Sequence, residues 1–239
     1  EYFTTTLGIT EEQIKEFRNI MLVESLSPEE EVDPEDQEAQ AAANTFRDTY
    51  KSVIDIKVED VKSSDLDDIN AAIAAYDNLS QKAQSYLSTQ KSKLDALQAA
   101  AELKAEIAKF EQVNATILAK TTENVEPNDL DAIKKALDDY SKLSDKAKTA
   151  IADKNTLLGQ LKAAAELKAE IAKFEQDNAV ILAKTTDNVE SNDLDAIKKA
   201  LEDYSKLSDK AKTALANKNT LLDQLKDAAE LKAEIAKFE

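Results

Sequence analysis

The eleven residues AELKAEIAKFE occupy Ala101–Glu111, then Ala165–Glu175, then Ala229–Glu239, in two equal steps of 64 residues. Outward from the middle copy, apolar residues recur at every seventh place along two tracks. One runs through Leu157, Ala164 and Ile171, the other through Leu167, Phe174 and Ile181. A seven-residue spacing holds an apolar stripe on one side of an α-helix. Neither Gly nor Pro stands between Gln160 and Lys184, so nothing there removes a helical hydrogen bond. The pattern predicts one helix over about 156–184 and, in the same frame, another over about 92–119, each on the order of 40 Å long at about 1.5 Å per residue. The first half of such a helix closes one bundle and its second half opens the next.

The repetition extends well beyond the eleven residues. Residues 112–175 and 176–239 align without a gap and differ at nine positions, among them Val113/Asp177, Pro127/Ser191 and Gly159/Asp223. A diverged copy precedes them in 38–111, where Phe46, Leu66, Tyr76, Leu79, Ser80, Lys82 and Ala83 match Phe110, Leu130, Tyr140, Leu143, Ser144, Lys146 and Ala147. Fixed-period self-similarity is the mark of a tandem array. The chain therefore divides into an acidic lead-in, 1–37, and three repeats, 38–111, 112–175 and 176–239. The structural bundles are expected to be offset from these sequence boundaries.

Helix signals recur inside each repeat. Leu194, Ile197, Leu201 and Tyr204 form one apolar stripe at helical spacing. Asn192 with Asp195, Asn128 with Asp131 and Ser64 with Asp67 have the chemistry of helix starts, a short polar cap followed by an acid in the first turn. Ser144 and Ser208 precede DKAKTA and are expected to cap a short second helix. Ser92, Thr156 and Thr220 stand before Leu-rich runs and are expected to open the third. In the lead-in, TEEQIKEFRNIML predicts a helix beginning at Thr10, followed by the acidic loop SLSPEEEVDPED. The fold class that follows is all-α, an elongated tandem array of three-helix bundles running up, down and up. The DKAKTA helix forms a corner, because a fourth full member would reverse the next long helix. Helix sharing of this kind is analogous to spectrin-type rods.

Composition narrows the chemistry. The chain has no His and no Cys, only two Gly and three Pro, and a net charge of −17. Thiolate metal sites, disulfides and Ser–His or Cys–His nucleophiles are therefore excluded. Residues 1–38 hold twelve carboxylates against Lys15 and Arg18, whereas residues 112–175 hold eleven acids against ten Lys. A polyanion finds no basic face here, so nucleic acid is not an expected partner. No stretch of 18 apolar residues offers a membrane span, and mixed charges on the polar helix faces argue against membrane-surface helices. The chain does not begin with Met and carries no signal peptide, so a piece of a longer protein is expected.

Three residue groups invite a functional reading. Asp129/Asp131 and Asp193/Asp195 could be imagined as paired acids of a glycosidase, but capping helices and solvating the surface is their expected role. TTENVEPND gathers Glu123, Glu126, Asp129 and Asp131, yet lacks the Gly and the alternating acids of an EF-hand loop. Phe110, Phe174, Tyr140 and Tyr204 lie on apolar stripes and are expected in the core. The reading is no enzyme, no catalytic, cofactor or metal residues, and no cofactor.

The run ALDDYSKLSDKAKTAIADKNTLLGQL, Ala136–Leu161, resembles helical tandem-repeat modules, three-helix-bundle stalks, of Gram-positive bacterial cell-surface proteins. The resemblance covers about 25 residues per repeat, centred on Tyr140–Lys148 and Tyr204–Lys212 and weaker at Tyr76–Lys82. It implies an extracellular, wall-attached parent protein and carries over no functional residue. The expected function is a monomeric spacer that projects another domain from the cell wall. The alternative is a multivalent adhesin module that binds a host or matrix protein through a helical face.

Overall fold

In the computed structural model, residues 8–25 and 33–238 are described; most of the acidic loop predicted after the first helix, residues 26–32, lies outside them. Short polar side chains start the first helices. The helix α1 (Glu11–Ser25) opens at Thr10, whose Oγ1 accepts from the Gln13 N–H at 3.2 Å while Gln13 Oε1 accepts from the Thr10 N–H at 3.0 Å. The reciprocal pair satisfies two backbone donors that a helix start leaves free. The helix α2 (Pro34–Thr49) follows Asp33, which accepts from the Glu35 N–H at 3.1 Å, with Pro34 at the first helical position. Helical structure of the first repeat thus begins ahead of residue 38, where the sequence boundary was placed.

One series of elements then recurs. It runs α3 (Lys51–Ile54), a 3₁₀ turn at Ser63–Asp65, α4 (Leu66–Asp77), α5 (Gln81–Ser85) and α6 (Ser88–Val113). The second pass is α7 (Ala115–Leu118), a 3₁₀ turn at Pro127–Asp129, α8 (Leu130–Ser141), α9 (Asp145–Ala150) and α10 (Ala152–Asp177). The third is α11 (Ala179–Leu182), a 3₁₀ turn at Ser191–Asp193, α12 (Leu194–Ser205), α13 (Asp209–Ala214) and α14 (Ala216–Ile235). Among the described residues there is no strand; the fold is all-α, a repeating pattern of packed helices.

The core repeats more faithfully than the sequence does. Nine buried positions, Phe110, Ile117, Val125, Ile133, Ala136, Ile151, Leu158, Leu161 and Ala165, form one cluster. A second cluster holds the same nine moved by one repeat, from Phe174 to Ala229, and a third holds them from Phe46 to Ala101 even though that copy has diverged. Each fully buried Leu or Ile, such as Ile133, Leu158 and Leu161, contributes about 1.5–3 kcal/mol. Substitution elsewhere leaves the fold in place because these positions carry most of the burial. The clusters straddle the sequence boundaries: α10 gives Leu158, Leu161 and Ala165 to one cluster, and Phe174 to the next. By its contacts the chain divides into Glu1–Ala105 and Glu106–Glu239, a cut that falls inside the first AELKAEIAKFE.

The long helices differ from the expected 92–119 and 156–184. They start four residues earlier, at Ser88 and Ala152, and stop at Val113 and Asp177. The residue that stops each is Asn114 or Asn178, buried to 5% exposure, whose side-chain amide donates to the Phe110 or Phe174 carbonyl at 3.0 Å. Asn competes for backbone groups in this way and ends helices that apolar spacing alone would continue. The chain bends at Asn178 (φ −113°, ψ 14°) and resumes as α11, which keeps Ile181 in the core. Thr156, Thr220 and Ser92, expected as third-helix caps, lie one turn inside instead. Each hydroxyl donates to the carbonyl four residues back. The caps at the 3₁₀ turns also shift. Asp129, Asp193 and Asp65 accept the N–H groups of Glu126, Glu190 and Lys62 at 2.8, 2.8 and 2.7 Å, rather than Asn128, Asn192 or Ser64 acting as the cap.

Candidate functional site

The repeated eleven residues hold two polar anchors that point to different places. Lys168 Nζ, in α10, donates to the Glu123 and Val125 carbonyls at 2.7 and 2.8 Å, tying the loop before α8 to the helix. Lys104 does the same to Glu59 and Val61, and Lys232 to Asp187 and Val189. Two residues on, Glu170 accepts both the N–H and the hydroxyl of Ser208 at 2.6 Å, and Glu106 accepts the same pair from Ser144 at 2.7 and 2.6 Å. Lysine therefore fastens the preceding loop and glutamate the following corner.

The corners are built as the sequence suggests at one point and more richly at others. Ser144 and Ser208 cap α9 and α13 by accepting from the Ala147 and Ala211 N–H groups at 3.3 Å. The Tyr140 and Tyr204 hydroxyls donate to the Lys148 and Lys212 carbonyls at 2.8 Å, closing the corner across its base. The rings of Tyr140 and Tyr204 meet Phe110 and Phe174 edge to face, at 6.0 and 6.1 Å between centroids. Such pairs add about 0.5–1.5 kcal/mol beyond burial. The four aromatics singled out in the sequence are thus core and corner residues.

The candidate acids do not converge. Asp129 pairs with Lys120 at 2.7 Å and receives the Glu126 N–H, whereas Asp131 is 98% exposed with Lys134 at 3.8 Å. The hydrogen bond from Lys120, followed by that N–H, holds the Asp129 carboxyl below its usual range, and Lys184 acts likewise on Asp193. A general acid needs the opposite shift. Glu126 pairs with Lys168 at 3.5 Å, so Glu126 and Asp129 go to separate lysines. Among the described residues no three acidic side chains are grouped to hold a metal ion.

A groove of about 320 Å³ lies beside the first corner, with Lys109, Lys135, Lys142, Glu106, Asp139 and Val113 on its walls. Two of its lysines are already paired: Lys135 donates to Asp139 at 2.7 Å, and Lys142 to Asp138 at 2.5 Å. These bonds lower the Asp139 carboxyl and raise Lys142. Among the described groups every resolved shift has this sense, with carboxylates lowered and lysines raised. Each of these groups is favoured in its charged form by the bond it makes.

The sequence reading missed the lysine and glutamate anchors and the two buried asparagines. Their signal was present, since Lys104/Lys168/Lys232 and Glu106/Glu170/Glu234 sit inside the eleven residues that never vary between copies. The diverged repeat has Ala42 and Tyr50 where the others have Glu and Asn. Its corner is held by Lys82 to Asp33 at 2.8 Å and by the Tyr86 hydroxyl to Asp36 at 2.6 Å. No helix among the described residues is long and apolar enough to cross a membrane. Comparison of the chain with protein families, with curated proteins and with solved structures finds no match.

Proposed function

We propose that the chain is a spacer: a monomeric, elongated array of spectrin-like three-helix bundles in which each long helix closes one bundle and opens the next. The parent protein is read as extracellular and attached to a bacterial cell surface, with the array holding another domain away from the wall. The observation that carries this reading is the return of the same nine core positions in three clusters, with α10 supplying two of them. Length accumulates from such a design, since each repeat adds the same core.

The exposed apolar residues favour the spacer over the adhesin. A multivalent binder presents the same contact face in every copy. Val113 is 57% exposed, but its counterparts are Asp177 and Thr49. Val180 is 82% exposed, but its counterparts are Thr116 and Ser52. Among the described residues no large exposed apolar position is shared by all three copies. Small-angle scattering tests the reading directly. An extended array gives a radius of gyration well above the roughly 18 Å of a globular chain this long, and a value near 18 Å would refute it. Specific capture of one serum or matrix protein by the isolated repeats would move the assignment to the adhesin.

A further inference from the structure

The residues that line the groove beside the first corner recur 64 positions on with a single exchange: Val113 becomes Asp177. That exchange decides the state of one lysine. In α10, Lys173 Nζ donates to the Asp177 carboxylate one turn ahead, at 2.7 Å. In α6 the same place is held by Lys109, which has Val113 one turn ahead, and among the described residues Lys109 makes no ion pair. The other charges of the groove are taken up. Lys135 is on Asp139, which Asn114 also reaches at 3.4 Å, Lys142 is on Asp138, and Glu106 holds Ser144. The middle groove is left with one unmatched ammonium beside an apolar wall of Phe110, Val113 and Leu143.

We infer that this groove binds a small apolar monocarboxylate, with its carboxylate on Lys109 and its hydrocarbon body along Phe110, Val113 and Leu143. Asp177 shows the headgroup chemistry, because a carboxylate is what the equivalent lysine takes when the chain itself supplies one. The wall sets the rest of the ligand. An acetate-sized ion satisfies the lysine and leaves the 57% exposed Val113 in water, whereas a hydrocarbon chain covers it. The volume of about 320 Å³ lies at the lower end of the roughly 300–1,000 Å³ of small-ligand sites. A protein partner needs an interface of about 1,000 Å², and the neighbouring repeats do not continue this one. Asp177 occupies Lys173 in the third repeat, while Thr45 and Ala71 replace Lys109 and Lys135 in the first. One site in one repeat adds neither length nor multivalency, so the inference does not depend on the spacer reading.

Methyl NMR of the full chain reads both grooves at once, through the half-buried Leu143 in the middle repeat and Leu207 in the last. With octanoate as the probe, the Leu143 methyls should shift saturably and the Leu207 methyls should stay in place. Acetate, which lacks the hydrocarbon, and octylammonium, which reverses the charge, should leave Leu143 unmoved at the same concentrations. Val113→Asp should abolish the Leu143 response, and Asp177→Val should give Leu207 a saturable response of its own. Each of these variants copies a residue that the sister repeat already carries, so both should fold as the parent does. Lys109→Gln should weaken octanoate binding by up to about fivefold, the worth of one exposed ion pair. No saturable response at Leu143, an equal response to acetate or octylammonium, or a silent Leu207 in D177V overturns the proposal. So do Leu143 shifts that follow protein concentration without octanoate, which would assign the groove to a second copy of the chain.

Discussion

Replacing Ala169 with Pro strikes α10 between the last core residue of one cluster, Ala165, and the first buried residue of the next, Phe174. In a continuous helix the Ala169 N–H donates to the Ala165 carbonyl, and a proline ring both removes that donor and clashes with that carbonyl, costing about 3 kcal/mol or more. The residue before a proline is also pushed away from helical angles. Here that residue is Lys168, so its two bonds to the Glu123 and Val125 carbonyls are strained and the loss should exceed the bare proline penalty. At about 3–5 °C per kcal/mol for a cooperative unit of this size, the midpoint should fall by roughly 10–15 °C. Because the two bundles joined by α10 are nearly identical, they would melt together even if uncoupled. A second change must therefore distinguish them. Leu225→Ala, at a fully buried site, should cost about 2–5 kcal/mol in the C-terminal bundle. Hydrogen exchange then reads the coupling. In the otherwise native chain L225A should accelerate exchange in α8 as well as α12, since neighbour interfaces supply much of a repeat array's stability. In the A169P background the acceleration should be confined to α12 and α14. An unchanged midpoint for A169P, or the same spread of exchange in both backgrounds, would refute coupling through α10.

Deleting Gln112–Glu175 joins Glu111 to Gln176 and regenerates a native junction, so the melting midpoint should stay near that of the parent. The maximum dimension from scattering should fall by one repeat, roughly 20–30 Å if 14–20 helical residues set the rise. The Ser208 hydroxyl, then its N–H, lower the folded Glu170 carboxyl below its ordinary 4.5. The stability this bond gives is therefore present above about pH 4.5 and lost as pH falls through the lower folded value. Glu170→Gln should flatten that part of the midpoint-versus-pH curve, and an unaltered curve would remove Glu170 from the account. Ser208→Ala takes away both a helix cap and one hydrogen to Glu170, and should cost about 1–2 kcal/mol by urea titration. Lys168→Met keeps the aliphatic stem but drops both carbonyl contacts, with an expected loss of about 1–3 kcal/mol by the same titration.

The helical class and the period were legible because they depend on burial, and burial leaves a periodic trace in the side chains. The Leu157 and Leu167 tracks are such a trace. Helix ends were less legible. Asn114 and Asn178 read as ordinary polar residues, since an isolated Asn in a helical pattern is common and its bond to the Phe carbonyl four residues back exists only once the helix has formed. Thr156 was mistaken for a cap for a related reason. Its hydroxyl can serve an N–H ahead of it or a carbonyl behind it, and spacing alone does not choose. The anchors Lys168 and Glu170 were invisible individually because their partners lie 43 to 45 and 38 residues away. Only topology brings a mid-helix charge to a loop carbonyl or a corner serine.

Lys168 and Glu170 are two residues apart, which on an α-helix is about 200° of rotation. They therefore act as phase marks on an axle, one locking the preceding loop and the other the following corner on nearly opposite sides of α10. A single inserted residue between them would turn the later corner by about 100° and bring a different side chain to Ser208, whereas an inserted heptad would restore the phase almost fully. The number of repeats can thus change freely while the spacing inside the connector cannot. The two matching repeats obey this rule: their nine differences all fall outside Ala165–Glu175 and Ala229–Glu239.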